Sequence, residues 1–318
     1  MQVETELDNR SIIESPEPDF AALFGAMFPL PAAMDPALEG ALLHVLENPG
    51  SLVRPRLVYR MASAYGMNRR ASEQLAAALE YFHTASLLFD DLPCMDNALE
   101  RRNAPCTHLV FGQGSAILAA LALVNRAYAL VWQAVLGSPQ ATQAQALAFL
   151  EQCLGVAGLL NGQSLDLHYA SLPQNRQSTE AIARGKTVSL IRLTLVLPAM
   201  MGGATSRELR CLERIALFWG LSYQIVDDLK DVIETAEQSG KTSSRDRLLG
   251  RPNLAEVLGV EAATERLARL LEVGDHALRR LLDLCPEASF LAQLRAELEY
   301  ELRRVIRHAS TQEAQGVS

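Results

Sequence analysis

Aromatic residues are scarce in this sequence, since only 6% of its 318 residues are Phe, Trp or Tyr. Runs of β-branched residues are few, and no segment carries the apolar–polar alternation that is typical of a half-buried strand. Ala and Leu dominate the 49% of residues that are hydrophobic, and both favour helices. The composition therefore argues against a β-sheet protein and favours an all-α one.

Paired cysteines are lacking as well. The chain has five Cys, an odd number, and no two of them have Cys-x-x-Cys spacing. This pattern fits neither a disulfide framework nor a zinc site, and it predicts reduced thiols in a cytosolic protein. The five are Cys94, Cys106, Cys153, Cys211 and Cys285.

Positive charge is in deficit. The formal net charge is −8 and the isoelectric point is about 5.4. An acidic chain does not attract a phosphate backbone, which argues against general nucleic-acid binding. Any anionic substrate must therefore be held by a local group of cations or by a metal ion.

Long uncharged apolar runs are absent too. A membrane-spanning helix needs about 18 or more such residues, and the longest stretch here, 116–136, is interrupted by Asn125 and Arg126. The first 20 residues are acidic and lack the basic start and apolar centre of a signal peptide. We therefore expect a cytoplasmic protein without a membrane span, in which 116–136 forms a core helix.

Helical segments follow one another from residue 19 onward. Short breaks rich in Gly, Pro, Ser or Asn separate them, and within them apolar residues recur at three- and four-residue spacing. Residues 1–18, with Pro16 and Pro18 near their end, are predicted to be a flexible tail. We predict a single domain over 19–318, an all-α bundle of about ten or more helices around a deep central cavity.

The longest segment without periodicity is 237–252. It contains four basic residues, and a polar loop of this length in a compact domain is often functional. A solvated basic loop without a function gives the same composition, and composition alone does not separate the two interpretations. The four residues are Lys241, Arg245, Arg247 and Arg251.

Two clusters of aspartates each follow an apolar helical segment. In the first cluster Pro93 ends the helix, so that the last acid comes from the following turn. In the second the outer acids are four residues apart and lie on one helix face, one turn apart. The clusters consist of Asp90, Asp91 and Asp96, and of Asp227, Asp228 and Asp231.

Paired carboxylates of this kind suit Mg²⁺, which binds through a few carboxylates, water and substrate phosphate. Each cluster alone is also compatible with a solvated helix end. A helix C-terminus prefers cations, however, and two such clusters in one chain favour metal sites.

Basic residues lie close to both clusters in the sequence. Arginine and lysine beside metal-binding carboxylates are what a polyphosphate ligand needs, although each of them alone is compatible with an ordinary surface charge. They are Arg54, Arg101, Arg102, Lys186, Lys230 and Lys241.

The two aspartate clusters and the residues around them resemble the motifs of a known family. Residues 83–103 are similar to the first Asp-rich motif of the trans-isoprenyl diphosphate synthases, and residues 220–231 are similar to the second. The motif sequences are most similar to those of the bacterial short-chain group. This group has two extra residues in the first motif and includes geranylgeranyl diphosphate synthases. Further pairs follow in the family's order over roughly 40–260: Arg54-Pro55, Thr107-His108 with Phe111-Gly112, Gly162-Gln163 with Asp166, Lys186-Thr187 and Gly240-Lys241.

The resemblance implies roles for individual residues. Asp90, Asp91 and Asp96 would bind two Mg²⁺ ions, and Asp227 with Asp228 and Asp231 would bind a third. The allylic diphosphate would be held by Arg101, Lys186, Thr187, Gln224 and Lys241. Isopentenyl diphosphate would be held by Arg54, His83 and Arg102, although a lone His on an apolar helix is also typical of a core histidine. The residues expected to carry catalysis are Asp90, Asp91, Asp227 and Lys186.

The resemblance also implies a mechanism and an assembly. Mg²⁺ and cationic side chains would neutralise the departing diphosphate of the allylic substrate, and the double bond of the C5 partner would attack the resulting carbocation. No protein nucleophile is required. A homodimer is expected, for which 116–136 is one candidate interface helix and burial within one subunit is the other possibility.

Two positions depart from the family's pattern. Ser51 stands where the family usually has a Lys that grips isopentenyl diphosphate, and Arg56 or Arg60 are candidates to replace it. Arg251 stands in place of a later Lys. These changes leave two alternatives open: a terpene-synthase-like relative that ionises a prenyl diphosphate to a hydrocarbon, and a non-catalytic partner subunit.

The product length is predicted from the helix that ends at Asp90. In the family, a bulky aromatic residue five positions before the motif acts as a floor and gives C15 products. Here that position is Ala85, followed by Ser86, so the next candidate floor is Phe82 or Tyr81, about one turn of 5.4 Å deeper. One turn is close to one C5 unit, and we predict the C20 product, geranylgeranyl diphosphate.

Overall fold

The computed structural model describes residues 17–233 and 250–300 of the chain. The chain divides into two compact units, here called the N-terminal unit (Met1–Leu92 with Ala98–Gly137) and the C-terminal unit (Pro93–Asn97 with Ser138–Ser318). The predicted single domain over 19–318 stays a prediction. Residues 1–16 of the predicted tail and most of the basic loop, with Lys241, Arg245 and Arg247, lie outside the described residues.

Five helices and a small hairpin build the described part of the N-terminal unit, from residue 17 onward. The helices are α1 (Phe20–Ala26), α2 (Pro36–Leu46), α3 (Val53–Ala64), α4 (Arg69–Asp90) and α5 (Thr107–Val135), and the strands are β1 (Glu100–Arg101) and β2 (Ala104–Pro105).

Helix α4 is the centre of this unit. Asn68 caps it, because the side-chain oxygen accepts a hydrogen bond from the amide of Ala71. From there the helix packs against α1, α3 and α5, and most of its side chains are buried, including those of Leu75 and Tyr81. Burial on several sides fixes the direction in which the end of α4, with its aspartates, points.

The hairpin between α4 and α5 has a tight two-residue turn. Arg101 pairs with Ala104, and the turn residues Arg102 and Asn103 have φ angles of 56° and 64°. Positive φ at both central positions defines the mirror-image turn that matches strand twist, and Asn or Gly is the usual choice there. Arg102 is neither, so other contacts must hold it in this conformation.

Helix α5 passes a simple length-and-apolarity test for crossing a membrane, and it is the one helix in the described ranges that does. It is interrupted at Gly112, whose φ of 83° is not helical. One face is buried against α4 and α2, but a row of large apolar side chains is exposed, so the predicted core helix is only half correct. The exposed residues include Ile117, Leu118, Leu121, Tyr128 and Trp132.

Residues 290–300 of the C-terminal unit are helical, and seven helices precede them in its described part. They are α6 (Gln140–Leu154), α7 (Leu159–Leu167), α8 (Arg176–Ala183), α9 (Ser189–Met201), α10 (Ser206–Ile233), α11 (Leu254–Leu258) and α12 (Val260–Leu284), with one π-helical turn, Arg184–Val188, between α8 and α9. Together with the first unit they confirm the predicted all-α fold, since the described residues contain only the two short strands of the hairpin.

The π-helical turn crosses α7 at very short range. A Cβ atom added to Gly162 would lie 2.5 Å from the amide nitrogen of Lys186, and one added to Gly185 would lie 2.7 Å from Cα of Gly162. Only glycine permits this approach of two backbones. Single π-helical turns are frequent at functional sites, and this one carries Lys186 and Thr187.

Candidate active site

The first aspartate cluster begins at the C-terminal end of α4. Asp90 is the last residue of the helix and Asp91 is its C-cap, and both side chains are nearly inaccessible to solvent. Buried carboxylates at the negative end of a helix dipole require cations. Arg101 supplies one: its Nη2 and Nε donate to Oδ1 of Asp91 over 2.6 and 3.0 Å.

His83 lies two turns before this end and contacts Arg54 of α3. Nη1 of Arg54 lies 2.9 Å from Nε2 of His83, and an arginine can only donate. Nε2 must therefore accept, which assigns the proton of the neutral ring to Nδ1. Burial, followed by the charges of Arg54, Arg102 and Arg101, holds the pKa of His83 well below its ordinary value.

Nδ1 of His83 is buried and has no partner within the described ranges. A buried N–H donor without an acceptor is costly, and such groups are rare in folded proteins. The geometry therefore leaves His83 as a neutral hydrogen-bond donor near three guanidinium groups, which is an arrangement suited to a phosphate oxygen.

Arg102 contacts a residue that the sequence analysis missed. Its Nη2 lies 3.1 Å from Oε1 of Glu80, an acid in the middle of α4 that is 2% exposed. The signal in the sequence is its position, three residues before His83 on an otherwise apolar helix. That pattern places the two residues on one face.

The two adjacent aspartates of the second cluster, Asp227 and Asp228, lie in different surroundings. The carboxylate of Asp228 is 1% exposed and accepts hydrogen bonds from the amide of Leu254 over 2.7 Å and from Nε2 of Gln224 over 2.9 Å. It thereby fastens the start of α11 to α10, and Asn253 adds a bond to the carbonyl of Asp228. Asp227, by contrast, is exposed.

Two predicted substrate-binding residues, Thr187 and Gln224, form a chain of contacts in this unit that ends at Asp228. Oγ1 of Thr187 donates to Oε1 of Gln224 over 2.8 Å, and the amide nitrogen of the same glutamine donates to Asp228. Lys186 contacts a different residue, because its Nζ donates to Oδ2 of Asp166 over 2.9 Å. Asp166 belongs to the family pattern, but the resemblance implied no role for it in the site.

Asp96, the last acid of the first cluster, belongs to the C-terminal unit. Its Oδ1 accepts a hydrogen bond from Nη2 of Arg251, and Nη1 of that arginine lies 3.7 Å from Asp166. Arg251 is thus placed between two carboxylates, one of which also binds Lys186. The cationic position that the family fills with Lys is therefore filled by an arginine that pairs with a predicted metal ligand.

The donor set can be compared with the needs of Mg²⁺. Within the described ranges, no three His, Cys, Asp or Glu side chains are placed together as a metal cage. Mg²⁺ does not require one, because it usually takes one or two carboxylates and completes its shell with water and substrate phosphate. Oδ2 of Asp231 is buried without a partner in the described chain, one turn from Asp227. A buried carboxylate oxygen of this kind is suited to bind a cation, so the residues are compatible with Mg²⁺.

The structure therefore brings the predicted residues together in two groups, one in each unit. Glu80, Asp166 and Arg251 join them, and Lys241 lies outside the described residues. The N-terminal group consists of Arg54, His83, Asp91, Arg101 and Arg102, and the C-terminal group consists of Asp96, Lys186, Thr187, Gln224 and Asp228.

The four predicted chain-length residues are all on α4. Tyr81 is committed to α1, because its hydroxyl donates to the carbonyl of Phe24. The ring of Phe82 meets Tyr128 of α5 with centroids 4.9 Å apart. Ser86 donates to the carbonyl of His83, and Ala85 is fully buried. Of the two aromatic candidates for a floor, Phe82 is the one whose side chain is not anchored by a hydrogen bond.

Two curated relatives are similar to most of this chain. Geranylgeranyl pyrophosphate synthase 4 of Arabidopsis thaliana is 36% identical over 236 residues, which are 73% of this chain and 63% of the relative. The chloroplastic geranylgeranyl pyrophosphate synthase of Capsicum annuum is 34% identical over 234 residues, with the same two shares. The chain therefore spans about 63% of the length of these relatives. They are plant proteins, whereas the sequence analysis pointed to the bacterial short-chain group.

A solved structure matches the fold over nearly the whole chain. A geranyltransferase from Helicobacter pylori, complexed with magnesium and isoprenyl diphosphate, has a TM-score of 0.75 and 27% identity. The match covers 91% of this chain and 94% of that one. The profile of the family described as "Polyprenyl synthetase" matches residues 35–280. The chain therefore belongs to the polyprenyl synthetase family.

Proposed function

We propose that this protein is a Mg²⁺-dependent prenyltransferase that condenses allylic diphosphates with isopentenyl diphosphate and releases geranylgeranyl diphosphate. The observation that carries the proposal is the alternation of buried carboxylates and guanidinium groups around His83 and Asp91. Asp91 pairs with Arg101 and Glu80 with Arg102, but the buried Nδ1–H of His83 has no acceptor in the described chain, which is costly unless an anion binds beside it. A diphosphate with its magnesium ions supplies such an acceptor, and the names of the relatives support this choice.

The residues would divide the work as the family resemblance implies. Asp90, Asp91 and Asp96 would hold two Mg²⁺ ions and Asp227 with Asp231 a third. The resemblance also names Asp228 for the third ion, but we leave it out because both of its oxygens accept hydrogen bonds within the protein. Bound Mg²⁺ would act as a Lewis acid on the departing diphosphate. Arg101 and Lys186 would neutralise charge on the leaving group. Because Mg²⁺ and cations favour diphosphate departure, no protein nucleophile is needed.

The contacts of Arg56 and Arg60 bear on the proposed C5 site. Both pair with Glu17 at the surface, over 3.4 and 2.5 Å, which argues against either of them as the replacement for the family's Lys at the position of Ser51. This leaves Arg54, Arg102 and the Nδ1–H of His83 as donors to isopentenyl diphosphate. Two guanidinium groups and one neutral donor still make a diphosphate site, so we expect turnover with a raised KM for the C5 substrate.

The decisive experiment is a product assay. Purified protein is incubated with Mg²⁺, isopentenyl diphosphate and each of the C5, C10 and C15 allylic diphosphates, and the products are sized by chromatography. We expect C20 to dominate from every primer and EDTA to abolish turnover. A complete lack of condensation would contradict the proposal.

Ser51 also motivates a second candidate function, a terpene-synthase-like reaction. In that case geranylgeranyl diphosphate alone would release a hydrocarbon in a Mg²⁺-dependent manner. The same assay without isopentenyl diphosphate separates the two functions, since a synthase leaves the C20 diphosphate intact.

We also propose a homodimer that uses the exposed apolar face of α5. Leu118 and Leu121 lie on this face and are 54% and 51% exposed, and exposed apolar rows of this kind mark interfaces. Each residue occurs twice in a twofold interface, and one buried Leu contributes about 1.5–3 kcal/mol. Leu121→Glu should therefore raise the dimer dissociation constant by at least about 100-fold, measured by analytical ultracentrifugation.

Leu284→Glu on α12 is the matched control, because Leu284 is 44% exposed but lies elsewhere. It should leave the dissociation constant unchanged. If the unmodified protein is a monomer and binds detergent or vesicles through α5, the face serves a membrane and the dimer proposal is wrong.

A further inference from the structure

Glu80 is a buried acid to which the proposed mechanism gives no task. It lies in the middle of α4 and is 2% exposed, and its neighbours in sequence, Leu79 and Tyr81, are buried as well. Acids are almost never buried to this extent unless they are paired. A helix that needed only packing at this position would carry Leu or Ala, so the charge requires an explanation.

The partner of Glu80 is held in a costly conformation. Arg102 is the first turn residue of the hairpin, with a φ of 56°, and a non-glycine residue adopts this region only where surrounding contacts fix it. Nη2 donates to Glu80 over 3.1 Å and Nη1 donates to the carbonyl of Asn48 over 3.1 Å. Gly50 completes the enclosure, since an added Cβ there would lie 2.5 Å from Nε of Arg102.

The positive charges around Arg102 make its contact with Glu80 decisive for the direction of the Arg102 side chain. Arg54, Arg101 and Arg102 all act on the neutral ring of His83, so three guanidinium groups lie near one uncharged residue. Like charges at such range repel. Asp91 neutralises Arg101, and Glu80 is the acid that neutralises Arg102.

We propose that Glu80 is a positioning residue that fixes the guanidinium of Arg102 for the diphosphate of the C5 substrate. This inference rests on the proposed function. Glu80 does not touch the substrate. Its carboxylate takes one end of the Arg102 fork, so that the remaining N–H groups are directed before substrate arrives. Fixing a donor in advance lowers the cost of ordering it on binding.

The ionisation of Glu80 adds a second signature. Burial raises its pKa from 4.5 to about 7, against the charges of Arg102 and Arg54, which lower it. These arginines come from the hairpin turn and from α3. In the described part of the chain, α1 and α5, which also pack on α4, add no charged group to this set.

The sign of the pH dependence follows from this shift. The carboxylate is needed to hold Arg102, so the KM for isopentenyl diphosphate should fall as pH rises through about 7. Stability behaves in the opposite way. A pKa raised on folding contributes stability that is complete below 4.5 and is lost as pH rises through about 7. As pH rises through this window, binding of isopentenyl diphosphate therefore strengthens while the folded state loses stability. A purely structural acid would produce only the loss of stability.

The test uses Glu80→Gln in the full chain. We expect the KM for isopentenyl diphosphate to rise about 5- to 100-fold, as for a lost charge-assisted hydrogen bond, while the KM for the allylic diphosphate stays within about twofold. The fall of the C5 KM with rising pH should disappear. Glu73→Gln is the matched control on the same helix, since Glu73 pairs with Arg69 over 2.8 Å at the surface. It should change none of these quantities.

Each outcome decides the proposal. Unchanged kinetics in Glu80→Gln, or equal rises in both KM values together with a lower melting temperature, would overturn it while leaving the proposed function intact. If Glu80→Gln does not fold, the pH profile of the unmodified protein decides, because a flat C5 KM between pH 6 and 8 contradicts the role. If the unmodified protein shows no condensation, the proposed function fails first, and calorimetry with isopentenyl diphosphate then tests Glu80 separately through a loss of affinity in the variant.

Discussion

Asp227→Asn is expected to stop condensation without weakening the fold, whereas Asp228→Asn, one residue further on, is expected to weaken the fold. Asp227 is exposed, and we place it among the metal ligands with Asp231. Loss of a residue that only hydrogen-bonds to a metal ligand already lowers metal affinity or activity about 10- to 100-fold. The kcat of Asp227→Asn should therefore fall by at least about 100-fold, measured under saturating substrates with a Mg²⁺ titration.

Asp228 differs because both of its carboxylate oxygens accept hydrogen bonds from the protein. An amide in its place would turn an NH₂ group toward Gln224 or toward the amide of Leu254. One donor would lose its acceptor, at a cost of about 1–3 kcal/mol. The free energy of unfolding, measured by urea titration, should fall by this amount in Asp228→Asn and stay unchanged in Asp227→Asn.

The pair is its own control, because the two substitutions are chemically identical and adjacent. Equal kinetic losses without any loss of stability in either variant would show that both acids bind metal. Full activity in Asp227→Asn at low Mg²⁺ would contradict the metal assignment at the second cluster.

Ala85→Phe is expected to shift the product from C20 toward C15. The substitution places an aromatic ring three residues, about 4.5 Å along the helix, closer to the aspartates than Phe82, and this distance is close to one isoprene unit. We expect C15 to become the main product and the catalytic rate to stay within about tenfold, measured by product sizing with the C5 and C10 primers.

The buried state of Ala85 provides the contrary outcome. If this side chain belongs to a closed core, a phenylalanine overpacks it and costs about 1–3 kcal/mol of stability, with the product length unchanged. Ala78→Phe is the control for overpacking, because Ala78 is fully buried two turns earlier on the same helix. A lower melting temperature and unchanged products in both variants would refute the floor at Ala85.

The sequence alone determined the fold class and the family of this protein. Helical spacing of apolar residues is a local property, so it predicted the all-α architecture without any tertiary information. The two aspartate clusters are also local, because residues four apart on a helix share a face in every fold. The order of the motifs then identified the family that the profile and the relatives confirm.

Other features depended on contacts between distant segments. Nothing near Asp228 in the sequence distinguishes it from Asp227, and only the amide of Leu254, 26 residues later, assigns it to the attachment of α11. Arg251 reaches Asp96 across 155 positions. The exposed face of α5 could not be separated from a buried one, because a row of Leu and Ile fits both.

Glu80 and Arg102 illustrate the same limit most clearly. The sequence presented one as an unremarked acid within an apolar helix and the other as a member of an Arg pair. The tertiary structure placed them 3.1 Å apart in a buried site. The reason is physical: periodicity reports which face of an element a residue occupies, but the pairing of two charges depends on the path of the chain between them.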